Sequence, residues 1–308
     1  LTRLSSRENP LVIFTLAAQA AAGAFALLFF GKLFNSAVLM PVIASPISSL
    51  IVVKTLALIA LGLLMSTIHL GKPMRFYRGF NNLRHSPVAR EGLGIVLFMV
   101  FAGIHFLAAL PNNAWVQQSI GVLHADWQNF ANIIANSTAG LAVLSSIVAL
   151  YYMYRCYRIK ARPFWNHYQT AFTFVGNALI LGSIVIGVLA VPYLLWINAS
   201  ATSLLSLLGS VMAAGMLLEA IGLYWHAHDM HEAEHEGAAS FYIQLTTFGK
   251  TYFTRNLLLG INTSAALLLA VFGSDSALSL SLWAVLLAST VMVSLVGRSL
   301  FYVLVVPT

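Results

Sequence analysis

The chain has 308 residues, of which 59% are hydrophobic and only 8% charged. A soluble domain carries about 25% charged residues, so an ordinary soluble enzyme and a disordered chain are both excluded, and a mean hydropathy of +0.85 points to a polytopic membrane protein. The single cysteine, Cys156, excludes a disulfide framework, a cysteine-based zinc site and an iron–sulfur cluster held by this chain alone.

A helix needs about 20 apolar residues to cross a hydrocarbon core of about 30 Å. Eight stretches qualify, at roughly 10–31, 48–69, 92–110, 132–154, 169–191, 205–225, 256–273 and 279–303. They predict an all-α fold: a polytopic bundle of eight transmembrane helices, read as one integral membrane domain over 1–308. Short connections make consecutive helices antiparallel neighbours.

Span 1 is too long and uniformly apolar for a cleaved signal peptide. The start at Leu1 leads us to expect a few residues before it. Its run Ala17, Ala18, Ala20, Ala21, Ala22 and Gly23 favours close helix packing, or reflects composition alone. Gln19 lies near its middle. Span 2 ends in His69-Leu70-Gly71-Lys72-Pro73-Met74-Arg75, Glu91 opens span 3, and His105 lies near that span's far end. Glu219 sits within span 6, His226 ends it, and Arg298 lies in span 8.

The longest connection, 226–255, reads as an interfacial, partner-facing loop. His228, His231 and His235 fall at i, i+3 and i+7, a metal-binding face if that segment is helical. The simpler reading is a polar amphipathic segment, and no metal site is expected. Spans 2 and 6 both end in histidine, and spans 3 and 7 both follow an arginine (Arg90, Arg255), an echo that hints at two four-helix halves.

The charges are lopsided. We call the side holding the N-terminus side A. It carries Arg3, Arg7, Lys72, Arg75, Arg78, Arg84, Arg90, Arg155, Arg158, Lys160, Arg162, Lys250 and Arg255. Side B has Lys32, with Lys54 nearby. The positive-inside rule places side A, and with it both termini, in the cytoplasm. A basic face is equally a docking surface for an acidic partner.

Ionisable groups inside a membrane are costly and point to function. Most of them here gather towards side A. That suits quinone chemistry, which moves two electrons and two protons. It needs an apolar cleft and a group that exchanges a proton near neutral pH, such as histidine. His69 suits the exchange, Glu91 or Glu219 a proton relay, and Arg75 or Arg298 the local charge. The alternative is that His69 and Glu91 are merely interfacial, snorkelling residues. No haem is expected: the chain has no C-x-x-C-H, and His105 has no partner of equal depth within a span. No phosphate-cradling loop, H-E-x-x-H or serine-nucleophile elbow is present. Nucleic acid is excluded as a partner because the basic residues lie between membrane spans.

At His69 the sequence resembles the membrane-anchor subunit of DMSO reductase and its relatives, the DmsC family. Span 1 opens Glu8-Asn9-Pro10-Leu11-Val12-Ile13-Phe14-Thr15, with Gln19 and Gly23 after it, much like the family's first helix. His69 to Arg75, followed by Asn81 to Arg84 and Ser86, resembles the family's H-L-G-x-P-x-R segment. Glu91, the set Arg155, Tyr157, Pro163 and Trp165, and Gly297-Arg298 with Phe301-Tyr302 complete an ordered match over nearly the whole chain.

The resemblance implies eight helices and no redox metal in this chain. It implies an anchor for a molybdopterin catalytic subunit and a four-cluster iron–sulfur subunit in a bacterial inner membrane. Electrons would pass between menaquinone or ubiquinone and the nearest cluster. It ties His69 to quinone binding, with Arg75, Glu91 and Arg298 as further candidates, Glu219 and Glu91 as proton relay, and Lys72, Arg78, Arg84, Arg155 and Arg158 as partner-docking cations. One departure is Ser294, where relatives carry a glutamate before the final Gly-Arg. A second is sidedness. In DMSO-reducing relatives the H-L-G end generally faces the periplasm, whereas the basic loops here place it in the cytoplasm. A sulfite-dehydrogenase-like anchor that reduces quinone fits that pattern, the alternative being a DMSO-type anchor that oxidises menaquinol. The rivals outside this class are a secondary transporter, which calls for broken helices and midplane charges, and a purely structural anchor.

Overall fold

The structure, a computed structural model, describes residues 8–122, 124–232 and 235–304. The side chain of His69, and Arg3 and Arg7, lie outside the described residues. The helices are α1 (Asn9–Leu33), α2 (Met40–Ile43), α3 (Ile47–His69), α4 (Pro87–Ala109), α5 (Ala114–Ile120), α6 (Ala125–Tyr157), α7 (Tyr168–Trp196), α8 (Thr202–Glu232), α9 (Glu236–Thr246), α10 (Gly249–Phe272) and α11 (Ala277–Val303). No strand occurs among the described residues. Eight of the helices are long and apolar enough to cross a membrane.

Local chemistry sets the helix ends. Pro10 and Pro87 stand in the first turns of α1 and α4, where their missing N–H groups cost nothing. Ser86 caps α4 by accepting from the Ala89 amide at 3.2 Å. His167 caps α7 by accepting the Gln169 amide at its Nδ1, at 3.0 Å. Asn35 and Asn198, with φ of 48° and 56°, terminate α1 and α7 in the left-handed conformation. Each is followed by the same reach-back bond, Ser36 to the Gly31 carbonyl and Ala199 to the Leu194 carbonyl, both 2.8 Å.

The stretch read as a loop, 226–255, is largely helical. α8 continues to Glu232, α9 fills Glu236–Thr246, and α10 starts at Gly249. Polar residues end the apolar window without ending the backbone ladder. Arg255, counted on sequence as a loop cation, therefore lies inside α10 and is buried. His235 caps α9 by accepting the Gly237 amide, so it does not continue the face of α8 that carries His228 and His231.

The long helices form two rings of four. α1 packs on α3, α3 on α4, α4 on α6, and α6 back on α1. α7, α8, α10 and α11 repeat the circuit. The rings join through α1 and α7, the most buried of the eight long helices. Lipid tails give no hydrophobic drive for helices to pair, so close packing has to hold this seam. Small residues supply it. A Cβ on Gly23 would lie 1.8 Å from the Ala178 carbonyl oxygen, and one on Gly182 would lie 2.5 Å from the Gly23 backbone. The α7–α8 contact is equally tight, with a Gly176 Cβ 2.6 Å from the Gly215 oxygen. The small-residue run of span 1 is thus the central seam of the bundle.

Gly23→Val is expected to prise α1 from α7, costing at least about 1–3 kcal/mol and lowering the melting temperature in detergent. Gly260→Ala, where a Cβ meets nothing within 4 Å, is expected to melt at or above the parent temperature. Equal melting of the two variants would contradict the seam.

Candidate functional site

Side A is the end where α1, α4, α7 and α10 begin and α3, α6, α8 and α11 finish. Four formally charged residues are buried at this end: Glu91 at 7% exposure, Glu219 at 1%, Arg255 at 4% and Arg298 at 2%. They come from α4, α8, α10 and α11, so both rings contribute.

Arg298 donates through Nη2 to Gln19 Oε1 of α1 at 3.1 Å. Its guanidinium lies over Phe174, 4.1 Å from the ring centre, and 5.5 Å from that of Phe301. Arg255 donates through Nη2 to Glu219 Oε1 in a buried ion pair. That pair requires Gly297: a Cβ there would lie 2.8 Å from Arg255 Nη2. The Gly-Arg pair of the last span thus combines a gap for one guanidinium with a second guanidinium. Glu91 accepts from Cys156 Sγ at 3.2 Å. The Tyr157 and Tyr302 hydroxyls hydrogen-bond to each other across the rings, and Trp165 Nε1 donates to the Phe301 carbonyl at 2.8 Å.

Three guanidinium nitrogens in this belt, Arg255 Nε, Arg298 Nε and Arg298 Nη1, are buried and make no hydrogen bond among the described residues. Both arginines line a narrow cleft of about 30 Å³ beside Phe164, His226, Leu300 and Phe301. That is room for about one water. His226 gives Nε2 to the Phe164 carbonyl at 3.1 Å. Below it, His167 Nε2 meets Asp229 Oδ2 at 2.9 Å.

The structure therefore gathers Glu91, Glu219 and Arg298 into one belt and adds Arg255, Gln19, Cys156, Tyr157 and Tyr302. Gln19 and Arg298 were each marked in the sequence, but nothing there marked them as partners. Arg75 is not brought to the belt. It lies exposed in a 3₁₀ segment, Pro73–Asn82, beyond α3. Arg78 is exposed on the same segment, Lys72 and Arg84 just outside its two ends, and Arg155 at the end of α6. Met74, Phe76 and Tyr77 are exposed among them. Arg158 is half-buried, bonded to the Tyr154 hydroxyl at 2.7 Å and lying over the Tyr168 ring. Arg90 ties the loop down by donating to the Leu83 carbonyl at 2.7 Å and the Tyr152 hydroxyl at 3.1 Å. Ser294 is buried one turn before Arg298.

The sequence compares with known proteins over most of its length. Residues 5–304 match the family model described as "DMSO reductase anchor subunit (DmsC)". The sequence is 28% identical over 225 residues to the C chain of the anaerobic dimethyl sulfoxide reductase of Haemophilus influenzae, covering 73% of this protein and 71% of that one. It is 22% identical over 161 residues to the YnfH chain of an anaerobic dimethyl sulfoxide reductase of Escherichia coli, covering 52% of this protein and 51% of that one. A family match across nearly every described residue, on a bundle with eight membrane-length helices, settles the assignment: the chain belongs to the DMSO reductase anchor subunit family.

Proposed function

We propose that this protein is the quinone-reactive anchor of a membrane-bound oxidoreductase. It holds an iron–sulfur subunit with four clusters, and through it a molybdopterin catalytic subunit, on side A. Electrons pass between membrane quinone and the nearest cluster. The observation that carries this reading is the buried charged belt at the side-A end of the bundle, next to an exposed basic and aromatic loop. Ionisable groups in a lipid-facing bundle are retained for function more often than for stability.

The residues fit a quinone. Its oxygens are acceptors, and the Arg298 and Arg255 nitrogens without partners are donors beside aromatic walls. The cleft itself is too small for a ring, so a quinone binds at its mouth, on the lipid side. Bound there, it supplies two-electron, two-proton redox chemistry. His69 at the end of α3 exchanges the proton, Glu91 and Glu219 relay it, and Arg298 sets the charge that the ring meets. Lys72, Arg78, Arg84 and Arg155 attract the acidic face of the iron–sulfur partner, with Arg158 held at the rim by its tyrosines.

The charge bias supports a cytoplasmic side A in a bacterial inner membrane, which favours quinone reduction fed by a cytoplasmic dehydrogenase such as one that oxidises sulfite. The names of the two relatives favour the opposite direction, menaquinol oxidation feeding DMSO reduction. Purification with partners and assay of both half-reactions separates the two.

His69→Ala in the assembled complex is expected to lower quinone turnover at least about 100-fold, with molybdenum and iron content unchanged. Full turnover in that variant would sink the assignment. Glu219→Gln and Arg255→Met are each expected to destabilise by about 3–5 kcal/mol, while Glu219→Leu with Arg255→Met recovers most of that loss. Turnover that stays low in the stable double variant assigns the Glu219–Arg255 pair a role in the quinone reaction. Normal turnover leaves it a structural one. Arg78→Glu with Arg84→Glu is expected to release the iron–sulfur partner at lower salt than the parent, measured by co-purification across a salt series.

A further inference from the structure

A sizeable cavity lies at the other end of the bundle. It encloses about 520 Å³ inside the first ring, between α1, α3, α4 and α6. Glu91 and His105 share α4 and are fourteen residues apart, about 21 Å at 1.5 Å per residue. The cavity is therefore a place apart from the side-A belt.

Its walls are mostly apolar, with Phe25, Phe29 and Phe106 prominent. Two polar features of opposite sense face into it. One is His105. Its Nδ1 lies 2.8 Å from the Ala135 carbonyl, and a carbonyl only accepts, so Nδ1 carries the hydrogen. In the neutral ring Nε2 is then an acceptor. Among the described residues Nε2 has no hydrogen-bond partner. The ring is held edge-on against Phe25, 5.4 Å between centres. The other feature is Lys32. Its Nζ donates to Asn136 Oδ1 at 2.8 Å, and among the described residues no carboxylate forms an ion pair with it. An ammonium has three hydrogens to give, so donors remain for a ligand.

The volume falls within the usual range for small-molecule sites, about 300–1,000 Å³. The ligand that satisfies both features has an apolar body, a hydroxyl hydrogen for Nε2 and a second oxygen to accept from Lys32. An ionised phosphodiester offers Lys32 its oxygens but carries no hydrogen of its own for Nε2, and the donors of an ethanolamine or glycerol headgroup sit on its polar tip, away from any apolar body. A hydroquinone carries both groups on one apolar ring, with its chain left for the lipid side. We propose that this side-B cavity binds a chain-bearing hydroquinone between His105 and Lys32, at a site distinct from the side-A belt.

The test uses the full chain in phosphatidylcholine nanodiscs and a decyl-tailed benzohydroquinone kept reduced, titrated by calorimetry. The parent is expected to bind saturably. His105→Ala and Lys32→Gln are each expected to weaken binding about tenfold, the effect of losing one good hydrogen bond, and Ala109→Phe, which fills the cavity, to abolish it. His105→Gln, which restores an acceptor, is expected to recover part of the affinity. His69→Ala is expected to leave this affinity unchanged, so failure of the side-A reading would not affect the result. Unchanged binding in Lys32→Gln and Ala109→Phe overturns the proposal, even if His105→Ala does not fold. A phospholipid that co-purifies with the parent, is lost from Lys32→Gln and is not displaced by the hydroquinone also overturns it, assigning the cavity to lipid.

Discussion

Arg298 is enclosed at 2% exposure in a bundle whose outer surface faces lipid, and the architecture of side A follows from that burial. An unpaired guanidinium there would be driven to snorkel or to open a path for water. Two contacts hold it instead: the Gln19 amide oxygen and the face of Phe174. Glu219 and Arg255 form a buried ion pair in the same layer, so either is costly to remove alone. Glu91, from the first ring, is bonded to Cys156 instead. The bond from Arg298 of α11 to Gln19 of α1 crosses from one ring to the other, so the burial of this layer also ties the rings together.

The rings behave as variations on one unit. Each begins with its most buried helix, and each of those ends on side B at a left-handed asparagine with the same reach-back bond. The two starting helices meet across glycines so closely that backbone touches backbone. Contact at that range fixes position to a fraction of a side chain's width. The hydrogen bond from Arg298 to Gln19, which spans the same junction, depends on that precision.

Much of this was legible in the sequence. Eight runs of apolar residues leave few options in lipid, and the spans emerged in order and number. Their ends did not, because hydropathy registers where apolar side chains stop and the backbone ladder continues past them. Arg255 fell on the wrong side of that line: its own charge ended the apolar window while α10 had already begun at Gly249. Glu91, Glu219 and Arg298 stood out because charge is rare in a span. Their pairings did not. Gln19, Tyr157 and Tyr302 could be named from the sequence, and Cys156 could not, but which group each meets comes from which helices become neighbours. The side-B cavity was illegible for the same reason, since an empty volume is a property of packing and no residue type announces it.

The bond between Gln19 and Arg298 joins residues 279 positions apart, in the first and last helices. During synthesis α1 enters the membrane long before α11 exists. The donor that meets the Gln19 amide oxygen in the finished bundle therefore arrives last, and this contact between the rings closes only when the final helix takes its place.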